Sequence, residues 1–413
     1  STSESQMSGK WPGGFIKKIA PTVVGPVDGE GGSASGIWTL DQAADYESQG
    51  LWPMPILDKN LYAWGQNSQG QLGDGTTTQR SSPVQIGALI TWSAVKGGSP
   101  YGQHALATKN DGTLWSWGKG SSGQLGHGNR TAYSSPVQIG ALTTWSTMAG
   151  GSNFSAAITT DGKLYAWGYN AVGCLGQGNT TAYSSPVQVG SLTTWSKIEV
   201  GSRHSVAIKT DGTLWSWGAN NNGQLGLGNT TYYSSPVQVG ALTTWLKVSC
   251  GYNHTLAITT AGTLYAWGFG STGQLGDGNT SQRTSPVQVG ALTTWLNIAG
   301  GMYSSFAIKT DGTLWSWGSN NSGQLGHGNT TNRSSPVQVG ALANWSHPAA
   351  AYSFAIATKT DGTLWSWGDG GSGQLGLGNT TTYSSPVQVG SLTTWQKDSP
   401  GTSRYSSYAI LKG

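Results

Sequence analysis

The chain has 413 residues, only 9 % of them charged, with 21 Lys and Arg against 17 Asp and Glu for a formal net charge of +4. That basic excess is scattered, which argues against nucleic acid as a partner, and 65 Gly with 21 Trp describe tight turns and aromatic packing, not disorder. No apolar run reaches the length of a membrane span, so membrane insertion is not expected, and Ser1 to Lys10 lack the apolar core of a secretory leader.

Residues 1–57 differ in character from the rest of the chain. Thr39 with Gln42 forms a capping box for one short helix ending near Gln49, and Pro/Gly-rich extended chain runs from Pro21 to Gly36. The expectation is an extended strap anchored by Trp11, Phe15, Ile16, Trp38, Leu40 and Trp52, laid across the rest of the chain or docked on another subunit. With its Trp11-Pro12-Gly13-Gly14 and Gly50-Leu51-Trp52-Pro53 phrases, this segment is similar to a short module of tailed-bacteriophage structural proteins.

From residue 58 to 413 one phrase recurs seven times. Its Trp-Gly element ends at Gly65, Gly118, Gly168, Gly218, Gly268, Gly318 and Gly368. A period of roughly fifty residues, rich in strand formers and turn dipeptides, is the signature of an all-β, seven-bladed β-propeller. In the copy around Trp217, Ser205 to Lys209 is an apolar strand, and Asp211-Gly212 is expected to make a two-residue type I′ hairpin. The return strand Leu214 to Trp217 puts Trp215 and Trp217 on one face and Leu214 and Ser216 on the other. Pro236 to Val239 is a third strand, and a fourth around Leu246 to Ser249 is expected to complete the blade.

At the ends, Tyr408 to Leu411 has no return strand after it and Leu61 to Trp64 no first strand before it. The ring is therefore expected to close by overlap of the two terminal strands. Cys174 and Cys250 replace Gln and Gly of sister copies, and no bridge between them is expected.

Differences among the copies concentrate on one face. One loop position carries Arg80, Tyr133, Tyr183, Tyr233, Arg283, Arg333 and Tyr383. Tyr169 and Phe269 follow Trp-Gly, and the links between blades are expected to add Tyr101, Arg203, Tyr252, Tyr303, Tyr352 and Tyr405. Tyr and Arg are enriched at binding hot spots, so these are candidate partner-binding residues; sheltering of loop backbone is the competing role. Asn129, Asn179, Asn229, Asn279, Asn329 and Asn379 create Asn-x-Ser/Thr patterns, which would be glycan acceptors in a secreted eukaryotic protein; the expectation is instead that each asparagine serves left-handed turn geometry. His127 and His327 share one loop position and are expected to be surface residues. No nucleophile with a base, metal cluster or phosphate loop is visible, so no enzyme, metal or cofactor is expected.

The run Gly218-Ala219-Asn220-Asn221-Asn222-Gly223-Gln224-Leu225-Gly226, with His204 to Ile208 and Gly212 to Trp217 before it, resembles the repeats of the regulator of chromosome condensation family. The resemblance implies a seven-bladed propeller. That superfamily includes an exchange factor for a small GTPase, an inhibitor of β-lactamases and many interaction modules, so no function or site residue follows from it. Together with the phage-like strap, the expectation is a non-enzymatic virion or extracellular-surface appendage. Its variable face would bind a host receptor, a glycan or a neighbouring protein, including other copies of itself or other virion proteins. The alternatives are a structural subunit self-assembling into a fibre or shell, and a soluble protein-binding inhibitor or adaptor.

Overall fold

A computed structural model describes residues 59–88, 91–98 and 100–413. Its strands form seven four-stranded antiparallel sheets arranged as a seven-bladed all-β propeller. The strap, its short helix and the anchors Trp11, Phe15, Ile16, Trp38, Leu40 and Trp52 lie outside the described residues.

A blade runs from channel to rim as Trp195–Val200, His204–Lys209, Leu214–Gly218 and Tyr233–Gln238. The segment expected to finish this blade, Trp245–Cys250, instead pairs with His254–Thr259 and opens the next one. The repeat and the blade are thus out of phase by one strand. Pro236 supplies the reason: it removes a donor from the rim strand, which ends the sheet as a blunted edge. The chain then crosses inward from Gly240 to Trp245 to start again beside the channel. The segments holding Arg203 and Tyr252 are consequently hairpin connections within blades, and the true links between blades lie on the opposite face.

The Asp-Gly turn also differs from expectation. Lys209 N–H donates to Thr213 O at 3.0 Å and Gly212 N–H to Lys209 O at 3.0 Å, enclosing three residues. Gly212 alone is left-handed, with φ +77°, and among the described residues no non-glycine has positive φ. A type I turn closed by a left-handed glycine fits this geometry; type I′ would need Asp211 left-handed as well. Asp211 instead caps the turn: its Oδ1 accepts from Thr213 N at 2.9 Å and Thr213 Oγ1 at 2.6 Å. Thr213 Oγ1 in turn accepts from Trp215 Nε1 at 2.8 Å.

The core lies between blades. Trp195, Trp215 and Trp217 pack on Leu164 and Ala166 of the preceding blade, while Val206 and Leu214 pack on Trp245 and Trp267 of the following one. This is the alternation read from the sequence. The buried tryptophan that ends each return strand also reaches back one blade: Trp217 Nε1 donates to Cys174 O at 3.0 Å, and Trp117 Nε1 to Gln71 O at 2.9 Å. Cys174 and Cys250 are free and buried.

Closure follows the expected overlap. Ser406–Lys412 pairs with Lys59–Gly65 in the register Leu61↔Ile410 and Ala63↔Tyr408. The sheet is completed by Arg80–Gln85 outside and Gly401–Thr402 inside. Trp64 Nε1 donates to Gln374 O of the preceding blade at 2.9 Å and Trp117 Nε1 of the following blade donates to Gln71 O at 2.9 Å, so the composite blade is tied to both neighbours, while Tyr408 Oη donates to Gln71 O at 2.8 Å within it.

Candidate functional site

Two groups of candidate residues share one face but sit at different radii. The outer group heads the rim strands, where Tyr233 pairs with Gly218 and Arg283 with Gly268. These side chains answer their own loops. Tyr133, Tyr183, Tyr233 and Tyr383 accept at Oη from Asn129, Asn179, Asn229 and Asn379 Nδ2 at 3.1–3.3 Å. Arg80 Nε donates to Asp74 Oδ2 at 2.9 Å and Arg283 Nε to Asp277 Oδ2 at 2.7 Å. Arg333 is different, because His327 occupies the position of those aspartates.

The loop asparagines are not left-handed, contrary to expectation; the glycine before each is, as at Gly228 with φ +78°. The asparagine acts through its side chain, Asn229 Oδ1 accepting from Thr231 N at 2.9 Å in an Asx turn. His127 and His327 are partly buried and hydrogen-bonded, Nε2 to Ser116 Oγ and Ser316 Oγ at 3.0 Å.

The inner group surrounds the channel mouth. Glycines let the innermost strands converge there: a Cβ on Gly251 would meet Gly301 O at 2.5 Å, and one on Gly97 would meet Thr402 O at 2.3 Å. The hairpin connections are linked by backbone bonds between blades, Ser202 N to Tyr252 O at 3.2 Å, Tyr252 N to Gly301 O at 3.2 Å and Met302 N to Ala351 O at 3.0 Å. Arg404 N to Gly102 O at 3.2 Å carries this belt across the closing blade.

On that belt the aromatic rings meet. Tyr101 lies 5.3 Å from Tyr252 and 5.6 Å from Tyr352, centroid to centroid, joining blades that are far apart in the chain. Tyr303 packs on Tyr252 at 6.2 Å and on Phe269 at 5.8 Å, and Tyr352 on Tyr405 at 5.4 Å. The Arg404 guanidinium stacks 4.3 Å from the Tyr101 centroid and 5.1 Å from that of Tyr405. Sequence reasoning missed Arg404. The available signal was its position, which it shares with Ser202, Tyr252 and Tyr352 in sister copies.

Burial, and after it the neighbouring phenols, pushes the Tyr303 and Tyr352 hydroxyls above their ordinary range. These two hydroxyls therefore stay neutral at physiological pH. Arg203 is exposed on the same face, and Tyr169 packs into the interior beside Cys174. Among the described residues no group of three or more His, Cys, Asp or Glu is placed to hold a metal. The buried Cys174 and Cys250 thiols are pushed up, by burial above all, and are unsuited to nucleophilic work.

The RCC1-like domain model matches residues 184–412, and models of the regulator of chromosome condensation (RCC1) repeat match residues 58–101, 111–158 and 145–174. The chain belongs to the RCC1-like domain family. This RCC1-like propeller is similar in sequence to human E3 ubiquitin-protein ligase HERC2, with 38 % identity over 89 residues, 21 % of the chain and 2 % of HERC2. Mouse RCC2 is 40 % identical over 80 residues, 19 % of the chain and 15 % of RCC2. The chain thus spans a small part of these relatives. In structure it resembles human WBSCR16, with TM-score 0.76, 19 % identity and coverage of 86 % of this chain and 99 % of that one. Prp20p of Saccharomyces cerevisiae, studied with its binding to Gsp1p and histones, gives TM-score 0.76, 21 % identity and coverage of 90 % and 95 %.

These relatives overturn the expectation of a virion or extracellular-surface appendage. The sequence matches include human HERC2 and mouse RCC2, and the matching family models begin at residue 58, outside the segment that suggested a phage module. It is the seven repeats, and not residues 1–57, that carry the family match. Protein partners are recorded for solved relatives: Prp20p has been studied for its binding to Gsp1p and histones, and yeast RCC1 (Prp20) has been captured with Kap60.

Proposed function

We propose that this chain is a non-enzymatic protein-binding module of the adaptor or inhibitor kind, whose partner docks over the channel mouth on Tyr101, Tyr252, Tyr303, Tyr352, Tyr405 and Arg404. The observation that carries the reading is the stacked tyrosine cluster with its single guanidinium. Its rings hold one another in place, so docking costs little side-chain entropy. Arg404 is pre-oriented by stacking while its polar edge remains a source of directional hydrogen bonds. A cation on an aromatic surface is the composition that dominates protein interfaces energetically. Phe269 and exposed Arg203 extend the surface outward. The rest of the outer Tyr/Arg ring, Arg333 apart, is engaged with its own loops and serves as the rim of this interface.

Affinity capture from the source cell, followed by titration of the captured protein, tests the reading. The Tyr252→Ala/Tyr352→Ala double variant should bind that partner at least about thirtyfold more weakly, while Leu192→Ala/Leu242→Ala on the opposite face should bind it normally. Unchanged binding by the tyrosine variant at an unchanged melting temperature would overturn it, as would loss of binding confined to the leucine variant.

A further inference from the structure

A second site lies at the rim. Between the blade ending in Arg333–Gln338 and the next blade runs a groove of about 490 Å³. Its apolar wall includes Val339, Leu342, Trp345, Trp365 and Pro386, and Leu342 is 49 % exposed. Arg333, His327 and Asn329 line its polar end.

The sister blades show what this corner is built to hold. Where the strand begins with Arg80 or Arg283, the loop supplies Asp74 or Asp277, and the carboxylate sits almost fully buried against the guanidinium, its side chain 4 % or 5 % exposed. In the groove blade the loop supplies His327 instead. Ser316 Oγ donates to Leu325 O at 2.6 Å, so the 3.0 Å contact with His327 leaves Nε2–H as the donor. This imidazole is kept neutral, chiefly by burial and further by Arg333. It brings no negative charge to the guanidinium. Arg333 Nε is buried without a hydrogen-bond partner, and among the described residues no carboxylate lies within ion-pair distance of Arg333.

We propose that this groove binds an extended segment of a partner protein carrying an acidic side chain beside an apolar residue. The acidic group pairs with Arg333, taking over the charge that Asp74 and Asp277 supply internally elsewhere, and the apolar residue lies against Leu342 and Trp365. Charge complementarity selects this occupant: the groove offers an unanswered guanidinium, a neutral imidazole and an indole wall. The site is separate from the channel mouth and does not depend on it.

The test uses the full chain and an N-acetylated, C-amidated peptide in which aspartate is flanked by leucines, beside its asparagine analogue, titrated by NMR or fluorescence polarisation. The aspartate peptide should bind about tenfold more tightly than the asparagine peptide, and Arg333→Gln should remove that difference. The decisive variant is His327→Asp, which rebuilds the sister arrangement. It should lower affinity for the aspartate peptide about tenfold while keeping or raising the melting temperature. Equal binding of the two peptides, no binding of either, or undiminished binding by His327→Asp would each overturn the proposal.

Discussion

Three histidines buried between blades set the pH response of single residues. His104, His204 and His254 contact Ser155, Thr255 and Ser305 of the following blade at 3.0–3.2 Å through Nε2. Those hydroxyls donate onward to Gln124 O, Gln224 O and Gln274 O, so each ring donates its Nε2 proton to them. Burial depresses the three pKa values to about 4, about 3 and about 4, helped by Lys119 at His104 and by His254 at His204. In the unfolded chain the same groups titrate near 6.5. Between these values the unfolded state binds more protons than the folded one, so stability is whole above pH 6.5 and falls as pH drops towards 4. Each histidine contributes a slope of about 1.4 kcal/mol per pH unit in that window. His204→Phe, which copies Phe154 and Phe354 at the same repeat position, should make the melting temperature fall less steeply between pH 6.5 and 4.5. An unchanged slope would place the acid sensitivity elsewhere. The exchange of Tyr for Arg at the rim was equally legible along the chain. Its meaning was not, because the answering Asp74 or Asn129 lies several residues earlier and only the fold shows which pairs meet.

At the scale of elements, the loop before each rim strand is a docking device as well as a turn. Gly226, with φ +74°, approaches the neighbouring indole so closely that an added Cβ would meet Trp267 Nε1 at 2.7 Å. That indole nitrogen also donates to Gln224 O at 3.0 Å. Gly240, at the start of the inter-blade link, has nearly the same backbone, φ +59°, but open space where a Cβ would point. Gly240→Ala should therefore cost only the left-handed penalty, about 1–2 kcal/mol. Gly226→Ala should cost clearly more, because it also displaces the tryptophan that ties one blade to the next. Urea denaturation of the two variants checks this, and equal losses would mean that the indole moves aside freely. Turn positions and strand positions were readable from Gly, Asp-Gly and the alternating Trp. The phase of the blade was not, because a strand's partner across a link is a tertiary choice, here set by the blunted edge at Pro236 and the inward crossing from Gly240.

For the whole molecule, ring closure and the channel mouth are one problem. Arg404 and Tyr405 immediately precede the closing strand Ser406–Lys412, and Tyr101, which stacks on Arg404 and bridges to Tyr252, belongs to the first complete blade. The aromatic cluster therefore spans the seam, with Arg404 N to Gly102 O as its backbone stitch. Opening the seam would expose the interior at Leu61, Trp64 and Tyr408 and scatter the cluster together. The seam was legible in the sequence because a first strand without a return and a return without a first strand stand at opposite ends of the repeat. The cluster was only half legible: its tyrosines were visible as departures from the repeat, but their meeting across the channel depends on a curvature no local pattern encodes. Deleting residues 406–413 should yield protein that is insoluble or rapidly proteolysed, and a soluble truncated chain with the parental melting temperature would refute the closure. The converse experiment strengthens the seam. Lys59 and Lys412 are register partners across it, and antiparallel partners lie within disulfide range. Cysteines at both positions should raise the unfolding free energy by about 2–4 kcal/mol when oxidised and not when reduced. If the seam is where unfolding begins, the oxidised form should also unfold markedly more slowly; a gain in equilibrium stability with unchanged unfolding kinetics would locate the first opening in another blade.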